Sequence, residues 1–270
     1  MSGEVVSLES SDAVQQEDIA EQGLQLYAAG SLAPALSALT RAFSRRYGIK
    51  VKSTFGPSGL LRKKIDKGQA ADLFASADVK HAASLMKANK GGPVAVFAHN
   101  SLCAIAQQSL KAATTSLLDL MLDTNVRLAT STPKSDPAGD YTWEVFKRAD
   151  ITKPGSFKTL SGKAIKLTGG ATAPEPPKGH DLYAWLMQED RADIILTYRT
   201  NALRAAQENH FIDVVELPEV LAVDAEYGVI VLNDRDTTAW KLAMFMLSTA
   251  GQKILARHGF DVQGAHAASE

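Results

Sequence analysis

Cysteine is almost missing from this chain of 270 residues: Cys103 stands alone, so no intrachain disulfide can form and no cysteine-based metal site can be assembled. An excess of either charge is missing too, with 29 Lys and Arg against 30 Asp and Glu. A formal net charge of −1 offers no basic footprint, which argues against nucleic acid as a partner. No apolar run approaches the length of a membrane span. There is no nucleophile elbow of the G-x-S-x-G kind, no H-E-x-x-H and no P-loop, so nothing marks the chain as an enzyme. Ser58 has no base beside it in sequence, although a base brought in by the fold would keep a transferase or hydrolase reading open. Residues 1–22 carry six acidic and no basic side chains and no apolar core, so they do not read as a secretion signal. They are expected to form a disordered arm, and the small, polar 261–270 a flexible tail. Low cysteine usage fits the cytosol and the bacterial periplasm equally.

What is present is a repeated unit. Residues 24–59 hold two short hydroxyl-bearing turns, AAGSL (28–32) and FGPSG (55–59). Each follows a β-prone run and precedes a helical pattern. Leu32, Leu36, Leu39 and Phe43 recur at helical spacing, with Arg41, Arg45 and Arg46 on the outer face, Pro34 in the first turn and Gly48 at the end. Free N–H groups at a helix start, the helix dipole and a serine hydroxyl together suit an anion.

Further along, strands are expected at 71–76, 93–106, 126–129, 193–198, 214–217 and 227–232. Helices are expected at 81–90, 117–122, 142–148, 182–189, 201–208, 240–247 and 252–258. A third hydroxyl-rich loop, TSTPKSDPAGDY (130–141), precedes the helix at 142. The run at 93–106, kinked at His99-Asn100-Ser101, has the length of a crossover between two lobes, and 227–232 is its candidate return. Strand–helix alternation implies parallel α/β architecture in two lobes, with a ligand cleft at the strand C-terminal ends. The expected boundaries are 23–100 plus 228–260 for one lobe and 101–227 for the other.

Five segments in this order carry a resemblance: AAGSL; FGPSG with its Lys-rich helix and ADLFAS; PKSDPAGDY; ADIILTYRTNA; and FMLSTAGQKILARHGF. The chain resembles the periplasmic molybdate/tungstate-binding proteins of ABC importers over roughly residues 24–260. The resemblance implies the type II periplasmic binding-protein fold: two Rossmann-like α/β lobes with mixed, mostly parallel sheets and a two-strand hinge. It also implies a periplasmic monomer that is not an enzyme, has no cofactor, partners a membrane permease, and closes at a hinge near residues 100–102 and 226–228.

The ligand set it implies is Ser31 and Ser58 through hydroxyl and backbone N–H, Ala138 and His180 through backbone N–H, and Tyr198 through its hydroxyl. No side chain would bind a metal directly. Molybdate at neutral pH has no proton and only accepts hydrogen bonds, so a donor-only site suits it; a protonated phosphate would set its O–H against a donor. Taken alone, Ser31 and Ser58 read as N-caps, Tyr198 as a half-buried aromatic and His180 as a surface histidine. Asp136 and Asp140 depart from the family pattern, as do Arg199 and His180. Both aspartates are expected to point outward, Asp136 as a helix cap, because a carboxylate facing a dianion is unfavourable. These departures keep sulfate, a small organic carboxylate and a metal chelate open as ligands.

Overall fold

The computed structural model describes residues 23–111, 116–232 and 237–262. The arm expected at 1–22 and the tail beyond 262 lie outside the described residues. Asp261 does not belong to a free tail: it exchanges backbone hydrogen bonds with His99 at 2.7 and 3.0 Å.

Strand β1 (Leu24–Ala29) passes through a 3-10 turn, Gly30–Leu32, into α1 (Ala33–Tyr47). The helix starts where Pro34 costs no hydrogen bond and stops at Gly48, whose φ of 73° is left-handed. Its buried stripe is Leu36, Leu39 and Phe43, while Arg41, Arg45 and Arg46 face water. Strand β2 (Val51–Gly56) then leads into α2 (Ser58–Asp66), and β3 (Leu73–Ser76) into α3 (Val79–Lys87). The long β4 (Val94–Gln107) is followed by α4 (Leu117–Leu122), β5 (Leu128–Ser131), α5 (Pro137–Thr152), α6 (Ser156–Lys163) and β6 (Ile165–Thr168). The chain ends with α7 (Leu182–Gln188), β7 (Ile194–Tyr198), α8 (Arg199–Glu208), β8 (Ile212–Glu216), β9 (Asp224–Val231), α9 (Thr237–Leu247) and α10 (Thr249–Arg257).

One sheet runs through the molecule in the order β2-β1-β3-β9-β4-β7-β5-β6, with β8 also paired to β4. It is parallel at both ends, where β1 meets β2 and β3, and β5 meets β6 and β7. Its middle is antiparallel, because β4 and β9 run against their neighbours. β4 pairs with β9 over Val94–Ser101 and then with β7 and β8 over Leu102–Gln107, so one strand serves both ends. The irregularity expected at His99–Ser101 is a register shift between Val96 and Ala98, and Asn100 lies buried in regular pairing. Helices α9 and α10 return to pack beside α1, with the Phe43 and Phe245 rings 5.7 Å apart. The largest apolar cluster joins Leu26, Leu36 and Phe43 of the first half to Val145, Phe146 and Ile194 of the second. Each fully buried Leu or Phe in it contributes about 1.5–3 kcal/mol.

Helix α5 begins five residues before the start expected from the sequence. Asp136 is its N-cap and Pro137 its first residue, so Pro-Ala-Gly is the first helical turn and not a loop.

Candidate functional site

In a parallel sheet every strand delivers its following helix N-terminus to the same edge. Four such junctions converge here: β1 to α1, β2 to α2, β5 to α5 and β7 to α8. They surround a cavity of about 380 Å³, in the lower part of the range of about 300–1,000 Å³ usual for small-molecule sites. Ala29–Ser31 and Gly56–Pro57 form one wall; Asp136, Ala138, Tyr183, Tyr198, Asn201 and Arg204 form the opposite one. Thr168, Gly169 and Gly170 close a side. Gly169 has φ +70°, and a Cβ there would lie 2.0 Å from Ser131 Oγ and 2.5 Å from the Asp136 side chain, so only glycine fits.

Of the residues expected to form the site, Ser31, Ala138 and Tyr198 line the cavity. Ser31 Oγ is 2.9 Å from the Tyr227 hydroxyl. Asn100 Nδ2 donates to Tyr227 Oη at 3.3 Å and to Thr200 Oγ1 at 2.9 Å. Ser31 and Tyr227 thus share one hydrogen bond in which either hydroxyl can donate. Burial pushes the Tyr227 and Tyr198 hydroxyls well above their ordinary pKa, so both are neutral O–H donors near neutral pH.

Ser58 is the first residue of α2 and fully buried, but the cavity walls are its neighbours Gly56 and Pro57. Its Oγ accepts the Ala77 N–H at 3.2 Å, while Tyr198 Oη donates to the Ala77 carbonyl at 3.4 Å. Ala77 therefore ties Ser58 of the first half, through its N–H, to Tyr198 of the second, through its carbonyl. A second tie lies nearby: Gly59 N–H donates to Ser135 O at 3.0 Å.

His180 is not brought to the cavity. It is exposed, with Nδ1 2.9 Å from Glu208 Oε1, and its N–H donates to the Pro177 carbonyl. Counting back from Tyr198 places it two residues short of the wall, which is made by Leu182 and Tyr183 at the start of α7. Asp181 caps that helix, accepting from the Tyr183 and Ala184 N–H groups, and holds Arg204 Nε at 2.5 Å. Arg199 pairs with Glu216 at the surface.

Asp136 caps α5 as expected but does not point outward; it lines the cavity. Its Oδ2 accepts from Ser131 Oγ at 2.5 Å and its Oδ1 from Ala138 N–H at 3.4 Å. Burial raises its pKa against those two hydrogen bonds. Asp140 accepts the Lys134 N–H at 2.9 Å and is not part of the wall.

Sequence reasoning missed Asn100, Tyr227, Tyr183, Asn201 and Arg204. For Asn100 a signal existed, since a buried amide inside an apolar strand needs partners. Among the described residues no group of three or more His, Cys, Asp or Glu is placed to hold a metal ion, and no helix is long and apolar enough to cross a membrane.

The cavity brings the Ser31 and Tyr198 hydroxyls, the Asp136 and Glu175 carboxylates and Arg204 together on its walls. The family model described as bacterial extracellular solute-binding protein matches residues 24–261. A Pasteurella multocida protein, PM1146, is 32% identical over 88% of this chain and 98% of its own length. The molybdate-binding protein ModA of Escherichia coli is 27% identical, covering 93% of this chain and 94% of that protein. The sulfate-binding protein SubI of Mycobacterium tuberculosis superposes with a TM-score of 0.73 at 18% identity, covering 90% of this chain and 87% of that one. With its fold, its inter-strand cavity and a family match that spans nearly the whole described chain, this protein belongs to the bacterial extracellular solute-binding proteins.

Proposed function

We propose that this chain captures a small oxyanion, molybdate or tungstate first among them, for a membrane permease of an ABC importer. The observation that carries the reading is the convergence of Ser31, Tyr198 and the helix N-termini of α1 and α2 on one cavity, where the Tyr198 proton would turn from the Ala77 carbonyl to the solute. Helix N-termini favour anions, and hydroxyl and amide donors can disperse two negative charges without a lysine. Membership of an extracellular family supports work in the periplasm, and the E. coli relative named for molybdate supports the anion. On this reading Ser58 acts at one remove, by fixing the Ala77 peptide against Tyr198. The lobes are residues 23–100 with 228–260, and 101–227, closing about β4 and β9.

A second reading has its own support. Asp136 and the exposed Glu175 put carboxylates on the cavity wall beside Arg204. A bare dianion meets repulsion there, whereas an organic anion bearing a hydroxyl or a proton finds an acceptor. Thermal denaturation with molybdate, tungstate, sulfate, phosphate and small carboxylates separates the two. Stabilisation by molybdate or tungstate at micromolar concentration is expected. A shift with a carboxylate and none with either metal oxyanion would replace the first reading with the second.

A further inference from the structure

We propose that the bound anion and the Asp136 carboxylate share one proton, so that solute capture is coupled to proton uptake. The inference rests on the anion-capture reading above and names the residue that sets its selectivity. Asp136 stands where the first turn of α5 would otherwise offer N–H groups to an anion. Its Oδ1 already takes the Ala138 N–H, and its Oδ2 the Ser131 hydroxyl. An ionised carboxylate in that place presents only lone pairs to a ligand that also has only lone pairs. One proton between them turns the repulsion into a charge-assisted hydrogen bond.

The surroundings do not neutralise Asp136 by other means. Asp140 on its own helix adds negative potential. Tyr183 of α7, Tyr198 of β7 and Tyr227 of β9 feel its charge but are themselves neutral. Glu175 is a further acid on the wall. Arg204 is the one cation lining the cavity among the described residues, and its Nε is held by Asp181. Burial has already moved the Asp136 carboxyl upward, and a dianion moves it further in the same direction.

Two routes lead to the same complex. Molybdate or sulfate binds as Asp136 takes a proton from solvent; hydrogen phosphate brings the proton with it. Selectivity at alkaline pH therefore favours the protonated anion.

The test is titration calorimetry of the full chain with molybdate, sulfate and phosphate, in two buffers of different ionisation enthalpy, between about pH 6 and 8.5. Wild type is expected to take up close to one proton per molybdate at the alkaline end, its affinity falling about tenfold per pH unit there. Phosphate should bind more tightly than sulfate at that end. Asp136→Asn keeps the helix cap, since Asn serves as well as Asp at that position. It should bind molybdate and sulfate without pH dependence, at least tenfold more tightly than wild type at the alkaline end. Ser131→Ala removes a hydrogen bond that favours the charged carboxylate and should move the pH dependence to higher pH. Wild-type binding that is tight, flat with pH and without proton uptake would overturn the proposal and leave anion capture standing. Absence of binding by any of the anions, in wild type and Asp136→Asn alike, would instead remove the anion-capture reading and this inference with it.

Discussion

Replacing Gly59 by alanine tests whether the contact between the two halves belongs to the solute-bound form. Gly59 lies in the first turn of α2, and its N–H donates to Ser135 O of the other half at 3.0 Å. A Cβ there would stand 2.7 Å from both the Lys134 and Ser135 carbonyl oxygens, where ordinary contact begins near 3.4 Å. Those atoms are backbone, so segment 134–135 must retreat as a unit, by on the order of 0.7 Å. Overpacking of that kind costs about 1–3 kcal/mol, and loss of the Gly59–Ser135 bond about 0.5–1.5 kcal/mol. If the halves can separate when no solute is bound, the unbound protein avoids both terms. They then appear in binding: about 1.5–4.5 kcal/mol, or roughly 10- to 2,000-fold in Kd. Thermal stability without solute should fall little, because alanine is the better helix former by up to about 1 kcal/mol. Calorimetric titration with the anion that most stabilises the wild type, beside a melting curve without it, reads both quantities. An unchanged Kd would refute the reasoning, as would a drop in stability as large as the loss in binding.

Tyr227→Phe removes the hydroxyl between Ser31 and Asn100 and should cost about 1–3 kcal/mol in chemical denaturation, with weakened anion binding because Ser31 loses its orienting partner. His81 is held below its ordinary pKa chiefly by burial and, to a lesser extent, by Arg62, against Asp78 and Asp140. The unfolded chain therefore takes up the proton first. Stability should be full above about pH 6.5 and fall as pH drops from there towards the lowered folded value; His81→Gln should flatten that limb of a urea-midpoint profile against pH. Burial pushes the Cys103 thiol up to about 12, so a thiol reagent near pH 8 should leave the native protein unlabelled and react fully once it is unfolded.

The fold was legible in the sequence wherever a local rule decides the outcome. Pro34 and Gly48 bracket α1, the β-prone run at 93–106 is one strand, β4, and the FGPSG turn opens α2. Helix α5 was misjudged because Pro-Ala-Gly suits a loop as well as a first turn, and only the Asp136 cap decides between them. Ser31 and Tyr198 could be placed from the sequence at turns after strands, and both lie on the cavity wall. His180 lies off the cavity wall, and the proline-rich segment before it obeys no period along which to count. Tyr227 and Asn100 were not read as part of the site because their partners, Ser31 and Thr200, come from distant stretches that only the pairing of β4 with β9 and the return of the chain bring together.

That pairing also has a bearing on when the fold can form. β3 gains its outer neighbour only from β9, with Leu73 opposite Val231. Until the last fifth of the chain has been made, the units around β1, β2 and β3 carry an open, apolar edge. Topologies dominated by such distant contacts form slowly, and an unpaired edge invites wrong partners in the interval. The same two strands that let one sheet serve both halves thus make completion of the polypeptide the event that seals the interior, and no early fragment of this chain holds a finished sheet.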